Sequence, residues 1–470
     1  MSELNINASA KTLDNSFWSI LKEAVRGSER DFTQGSIGTA IIILAVPMII
    51  EMFAESLFAI VDIFYVSKLG ADAVAVVAIT ETMMYVIFSV AMGISIGATA
   101  SVARRIGEKD ADGAARAATH SIYLGIVASI IMGIIGAIFA PQFLRLLGAS
   151  ENVISIGTDF TRIMLGGNVV VMFLFLLNAI FRGAGNAAIA MRVLWIANLV
   201  NIVLCPIFIF VLNWGVTGAA IGTTIGRGVG VAIAAYALFR GNSRFTIERK
   251  HWQIDYSRLW RLVKLGSPAT LQFFIQTASF IGLIRVVAGF GSDAVAGYSI
   301  GWRVVIFGIL PSVGLANAAA TLVGQNLGAE NPKRAEKAVW TTVFINAIIQ
   351  TLVGLVFVLL AHPIVRIFTD DPNVMRYAVD CLTIVSYGFF FYGVGMVIET
   401  SFNGAGDTWT PTILNFFVFW LFEIPLAYLL AYKFEMGPDG VFWAIFLAFS
   451  MLTVVSAFVF KLGRWKLKKV

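Results

Sequence analysis

Three carboxylates in one apolar run, Glu51, Glu55 and Asp62, are the residues of this 470-residue sequence whose type and spacing most directly imply chemistry. On a helix, Glu55 falls about 40° and Asp62 about 20° from Glu51, so the three share one face. Inside a bilayer they would oppose insertion by roughly 8–10 kcal/mol, which about twenty apolar neighbours offset with little surplus. Such a face must look into protein or water. It can serve as a structural hydrogen-bonded stripe, or as a cation or proton site with at least one acid titrating during transport. The second use is the expectation here.

Other polar residues within apolar runs are open to two uses. Asn178, Asn198 and Asn201 can offer amide oxygens to a cation or join helices by hydrogen bonds. Glu399 can be a gate or a solvated carboxylate near a helix end, and Glu423 is equally open. Arg227 lies in mid-run within Gly226-Arg-Gly228 and requires an acid or carbonyl partner, which makes it a structural charge. Arg285 and Arg303 lie close enough to helix ends to snorkel. Gly222-xxx-Gly226-xxx-Gly230 is a close-packing pattern. The run Phe389-Phe-Phe-Tyr392 is a candidate wall for an apolar cavity. No GxxxxGK[ST] motif is present, and His120, His251 and His362 pair with no Cys or Ser as a nucleophile would require, so we expect no enzyme. Cys205 and Cys381 form no framework or metal spacing.

The elements that must hold these side chains are membrane helices. The chain is 58% hydrophobic and 13% charged, outside the range of soluble domains. Its apolar runs are continuous and about 20 to 28 residues long, the length for a helix to cross hydrocarbon, with none of the alternation of a barrel. We place spans near 37–66, 73–101, 114–140, 155–181, 188–212 and 216–240, then 263–288, 295–323, 336–361, 376–402, 409–432 and 438–461. Residues 1–35 are no signal peptide, and the spacing of Phe17, Trp18, Leu21, Ala24 and Val25 allows a short helix on the membrane surface. Of the 34 basic residues, 25 fall on the side of the termini, Arg182 and Arg192 among them, and five fall opposite. That bias predicts cytoplasmic termini in the inner membrane. The net charge of +6 is then topological and requires no nucleic acid.

The sequence also repeats itself. Gly70-Ala-Asp-Ala-Val-Ala75 returns as Gly291-Ser-Asp-Ala-Val-Ala296, and Phe181-Arg-Gly-Ala-Gly-Asn186 as Phe402-Asn-Gly-Ala-Gly-Asp407, both at a numbering offset of 221. Pro47 and Pro268, Gly107 and Gly328, and Arg145 and Arg366 keep the same offset, and Gly215 and Gly437 slip by one. The expected fold is all-α: twelve transmembrane helices in two homologous six-helix lobes, parallel repeats about an axis along the membrane normal, with a substrate site between them. The parts are a cytoplasmic extension (1–35), an N-terminal lobe (36–240), a linker (241–261), a C-terminal lobe (262–462) and a basic tail (463–470). The first-span acids become Gln272, Gln276 and Leu283 in the second half, so ion coupling is expected in the first half. Gln272, Gln276 and Glu399 are expected to line the substrate cavity.

Pro47 with Ile60-Val-Asp-Ile-Phe-Tyr-Val-Ser-Lys-Leu-Gly70 resembles the first-helix signature of multidrug and toxic compound extrusion transporters. Arg182-Gly-Ala-Gly-Asn186 and Asn403-Gly-Ala-Gly-Asp-Thr-Trp-Thr-Pro411 resemble that family's loops after helices four and ten, and the likeness covers about residues 36–462. It implies a V-shaped pair of lobes that alternate access and expel amphipathic, often cationic, compounds in exchange for H⁺ or Na⁺. Asp62 matches the family's first-helix carboxylate, and Asn201 an amide of a fifth-helix motif that usually ends Asp-Pro. Cys205 stands here in place of that Asp. Asp62 is therefore the expected coupling residue, with Glu55 and Glu51 in support. A bound Na⁺ would take oxygens from Asn201 and Asn178. No cofactor and no obligate protein partner are expected, only a monomer in membrane lipid. The competing reading is a flippase for a lipid-linked sugar, which would favour a cationic cavity.

Overall fold

The computed structural model describes residues 17–28, 30–240 and 244–470, and every regular element among them is helical. Lys11 and the linker residues 241–243 lie outside the described residues. The short helix that the spacing allows near Phe17 is present as Phe17–Arg26, with Ile20 and Ala24 buried and Phe17 and Trp18 exposed. The spans run Ile37–Ser67, Ala71–Gly107, Ala111–Leu146, Glu151–Gly183, Ala187–Val211 and Gly215–Phe239 in the first half. The second half has Tyr256–Ala288, Ser292–Gly328, Pro332–Leu359, Trp409–Lys433 and Pro438–Lys461. Its fourth member is a pair, Pro372–Ser386 and Phe389–Gly404, bent by 57° and counted as one span. With that pair the described residues hold twelve. Numbered in this order, they are the first to twelfth spans below.

The repeat extends to the caps. Asp110 accepts from Gly113 N at the start of the third span, and its repeat equivalent Asn331 accepts from Arg334 N at the start of the ninth. Ser150 and Asp371, at the same offset, cap the fourth and tenth spans. Lys109 and Glu330 each turn the preceding loop at left-handed φ, 58° and 56°. Equivalent side chains satisfy equivalent orphan N–H groups, so these helices start at equivalent positions in the two halves.

Each half has its own apolar core. One is built around Leu174, Phe181 and Leu194, the other around Tyr298, Val385, Phe389 and Phe442. A third cluster joins the halves: Phe32, Leu44 and Met48 pack with Leu315, Ala318 and Leu322. The third span carries the opposite pattern on its outer face, where Val127, Ile130, Ile131, Ile134 and Ile138 are all more than half exposed. An apolar face of this kind is stable only against lipid.

The second and eighth spans cross where the halves meet. A methyl group at Gly107 would overlap the Gln325 backbone, and one at Gly328 would overlap the Arg104 backbone. Because 104 and 325, like 107 and 328, differ by 221, this contact is its own image under the repeat, and the pseudo-twofold axis passes through it. Gly93 lies as close to Gly266 and Thr270 of the seventh span. All of these contacts lie towards the end of the bundle that carries the termini. There Arg334 donates to the carbonyls of Gln34 and Gly35 at 2.7 and 3.0 Å. The 463–470 tail bridges the halves: Lys468 pairs with Asp407 at 3.0 Å, and its carbonyl accepts from Arg104.

Candidate functional site

The first-span acids do share a face, and it points into the N-terminal lobe. They are not three free acids. Glu51 is buried and takes Arg182 Nη1 at 2.7 Å and Asn178 Nδ2 at 3.2 Å. Arg182, which the count of basic residues puts among the loop cations on the termini side, is instead buried in the last turn of the fourth span. It is out of water because its guanidinium meets a carboxylate deep in the lobe. Glu55 pairs with Arg227 at 2.9 Å, the acid partner that the sequence requires.

Asp62 alone of the three faces no cation within ion-pair distance. Its Oδ2 accepts from Thr223 Oγ1 at 2.9 Å, and Cys205 Sγ lies 3.7 Å from Oδ1. Asn201 donates to Thr223 Oγ1 and to Cys205 Sγ, each at 3.2 Å. A chain of hydrogen bonds thus runs from the fifth span through the sixth to the first. Asn178 is not part of it. It sits with Glu51, about 16 Å along the helix from Asp62 at 1.5 Å per residue, so the expected oxygen set around Asp62 is not assembled. Asn198 also serves structure, donating to the Ala54 carbonyl at 2.7 Å. Sequence reasoning does not single out Thr223. Its one signal is the spacing to Arg227, which puts both on one face of the sixth span.

A separate cavity of about 500 Å³ lies between the lobes. Phe273, Phe280, Trp302, Tyr392 and Phe419 give it aromatic walls, and Gln272, Gln276 and Glu399 are among its other lining residues. Glu423 joins them. It is placed there by wide π-helical turns over Phe416–Glu423 in the eleventh span, and Ser279 donates to it at 2.7 Å. Glu399 is buried, and its Oε1 has no partner among the described residues. Arg182 is the one cation among the lining residues, and Glu51 already neutralises it. Asp62 and Glu55 do not line this cavity.

The two sites are related by the repeat with acids and amides exchanged. Glu51, Asn178 and Arg182 correspond to Gln272, Glu399 and Asn403, each at the offset of 221. In the first half Asn178 and Arg182 converge on Glu51, whereas in the second Asn403 donates to Gln272 at 3.3 Å. The charge lost from the seventh span therefore reappears on the tenth as Glu399. Among the described residues no group of three His, Cys, Asp or Glu side chains could hold a metal ion.

The MatE family model matches this chain twice, over residues 47–207 and 268–429. The multidrug export protein MepA of Staphylococcus haemolyticus is 24% identical over 429 residues, covering 91% of this chain and 94% of its own. The FAD transporter of Shewanella oneidensis is 24% identical over 402 residues, 84% of this chain and 88% of that one. Among solved structures, the outward-facing conformation of a multidrug resistance MATE family transporter of the MOP superfamily superposes with a TM-score of 0.88. It is 27% identical and covers 93% of this chain and 98% of its own.

Proposed function

Since the chain belongs to the MatE family, we infer that it is a secondary active antiporter, exporting amphipathic or cationic compounds in exchange for protons by alternating access. The observation that carries this reading is the division of labour between the lobes. A carboxylate in a hydrogen-bonded chain, Asp62, lies in one lobe, and an aromatic cavity with two acids, Glu399 and Glu423, lies against the other. Carboxylates without a fixed cation attract organic cations, and the aromatic walls bury their apolar parts. The multidrug export relative points the same way.

The coupling role goes to Asp62, because Glu51 and Glu55 are each occupied by an arginine. A proton suits this site better than Na⁺. A hard cation seeks several oxygens, and here the place next to Asp62 is taken by the sulfur of Cys205, while Asn178 is elsewhere. With the termini in the cytoplasm of an inner-membrane protein, the Gly107–Gly328 crossing closes the cytoplasmic end. The state described then faces outward. A flippase of lipid-linked sugars would require cations for the pyrophosphate, and the one cation lining the cavity is neutralised.

The test is transport in proteoliposomes under an imposed pH or Na⁺ gradient. A pH gradient should drive movement of a fluorescent organic cation, and Asp62→Asn should bind that cation but not move it uphill. Transport driven by Na⁺ alone would replace the proton. Translocation of a polyprenyl pyrophosphate, without cation transport, would overturn the assignment.

A further inference from the structure

Arg227 has more to do than hold Glu55. On the first span, Glu55, Phe58 and Asp62 follow at i, i+3 and i+7, so the Phe58 ring stands between the two acids on one face. The Arg227 guanidinium lies over that ring, with Cζ 4.4 Å from its centroid. One terminal nitrogen, Nη2, holds Glu55 at 2.9 Å, and the other, Nη1, is buried with no partner among the described residues. On the sixth span Thr223 precedes Arg227 by four positions, about 6 Å, and it is Thr223 that donates to Asp62. The cation thus sits between two carboxylates, bound to one, with its unused donor group buried beside the aromatic surface that separates them.

We propose that Arg227 is a positioning residue for ion exchange, a counter-cation that stays with Glu55 while Asp62 is protonated and turns to Asp62 when that carboxylate ionises. The proposal rests on the reading of Asp62 as the coupling residue. The physical reason is the cost of an unpaired ion. A carboxylate held among helices that loses its proton must find a cation or reorganise its surroundings, and Arg227 can supply the charge by side-chain rotation across Phe58. The polarisable ring provides a favourable surface along the way. The Glu55 side chain is 28% exposed, so it is not fully enclosed when Arg227 leaves it.

The other groups around Arg227 do not compete for it. Glu51 on the first span is taken by Arg182 of the fourth. Asp159 and Arg162 of the fourth span pair with each other at 3.6 Å at exposed positions. The fifth span contributes Asn198, Asn201 and Cys205, of which only Cys205 is ionisable. The second contributes Glu81, which is exposed and shares its field with Asp62 and with Arg303 of the eighth span.

The experiment compares Arg227→Gln, Glu55→Gln and the double variant by the midpoint pH of gradient-driven efflux of a fluorescent organic cation from proteoliposomes. Arg227→Gln deprives ionised Asp62 of its cation, so the midpoint should rise by about one unit or more. Glu55→Gln frees the cation for Asp62, so the midpoint should fall. The double variant removes the counter-cation as well and should behave as Arg227→Gln does. If Arg227 only anchors Glu55, the neutral double variant returns the midpoint to wild type, and the proposal fails. It fails too if the single variants shift the midpoint in the same direction. Asp62→Asn separates the two levels. Uphill efflux retained in Asp62→Asn overturns the coupling assignment and this proposal with it, whereas loss of efflux there leaves the Gln variants to decide on Arg227.

Discussion

Asn178 and Glu399 occupy equivalent places in the two repeats and make different contacts: Asn178 donates to Glu51 at 3.2 Å, while Glu399 faces the cavity with an oxygen that has no partner among the described residues. One position braces a buried acid and the other presents a carboxylate to the cavity. A duplicated scaffold can hold both: Glu51 and Gln272 are isosteric and differ by one charge, while Glu399 is longer than Asn178 by one methylene and adds a charge.

Glu399→Gln should therefore weaken binding of a permanently cationic fluorescent probe at least tenfold, or about 1.4 kcal/mol. Binding of a neutral amphipathic compound of similar size should change less than about twofold. Titration of purified protein with both probes checks this, and equal losses would show that Glu399 shapes the cavity without selecting charge.

Gln276→Ala removes a cavity amide that does not titrate. The apparent affinity for substrate should fall while the pH dependence of efflux stays as in wild type. A variant that binds substrate but has lost its pH response would move coupling into the C-terminal lobe.

The Glu51–Arg182 pair is buried on both sides, with side chains 3% and 10% exposed. Glu51→Gln leaves a guanidinium without its counter-ion and should cost about 3–5 kcal/mol. The double variant Glu51→Gln/Arg182→Gln should recover much of that. Thermal unfolding in detergent reads the difference, and a double variant no more stable than Glu51→Gln would refute the pairing.

Gly107→Leu and Gly328→Leu should each prise apart the crossing of the second and eighth spans, since even a methyl group meets backbone there. The closed seam near the termini is lost, and the population shifts towards the state open at that end. A Gln276→Cys reporter should then react more slowly with a membrane-impermeant thiol reagent added from outside whole cells. Faster reaction would show that this seam does not govern access.

Topology has a direct check. Cys205 and Cys381 are buried, so a Thr246→Cys variant at an exposed linker position reports with little background. Impermeant reagent outside intact cells should leave it unlabelled until the membrane is permeabilised. Efficient labelling from outside would reverse the orientation drawn from the basic residues.

The fold is legible in the sequence because lipid leaves few solutions. Apolar runs of a fixed length must be helices, and a register of 221 held from Pro47 to Asp407 announces two copies of one bundle. The shared face of Glu51, Glu55 and Asp62 follows from helical periodicity alone. So does the requirement of Arg227 for a partner, since an unpaired ion in hydrocarbon is too costly to persist.

The length, number and repetition of the helices, and which residues share a face, follow from residue order alone. Which side chain answers which across helices is set by how the helices pack. Arg182 is near a span end in sequence, and nothing local distinguishes a loop cation from one turned inward onto Glu51. Residue type alone points Asn178 towards Asp62, but its height in the bundle puts it beside Glu51. Thr223 becomes visible only when the sixth span is set against the first. Glu423 gains its place in the cavity from the wide turns of the eleventh span. Periodicity describes one helix at a time, whereas charge pairing depends on the relative rotation and height of two, which packing of the whole bundle sets.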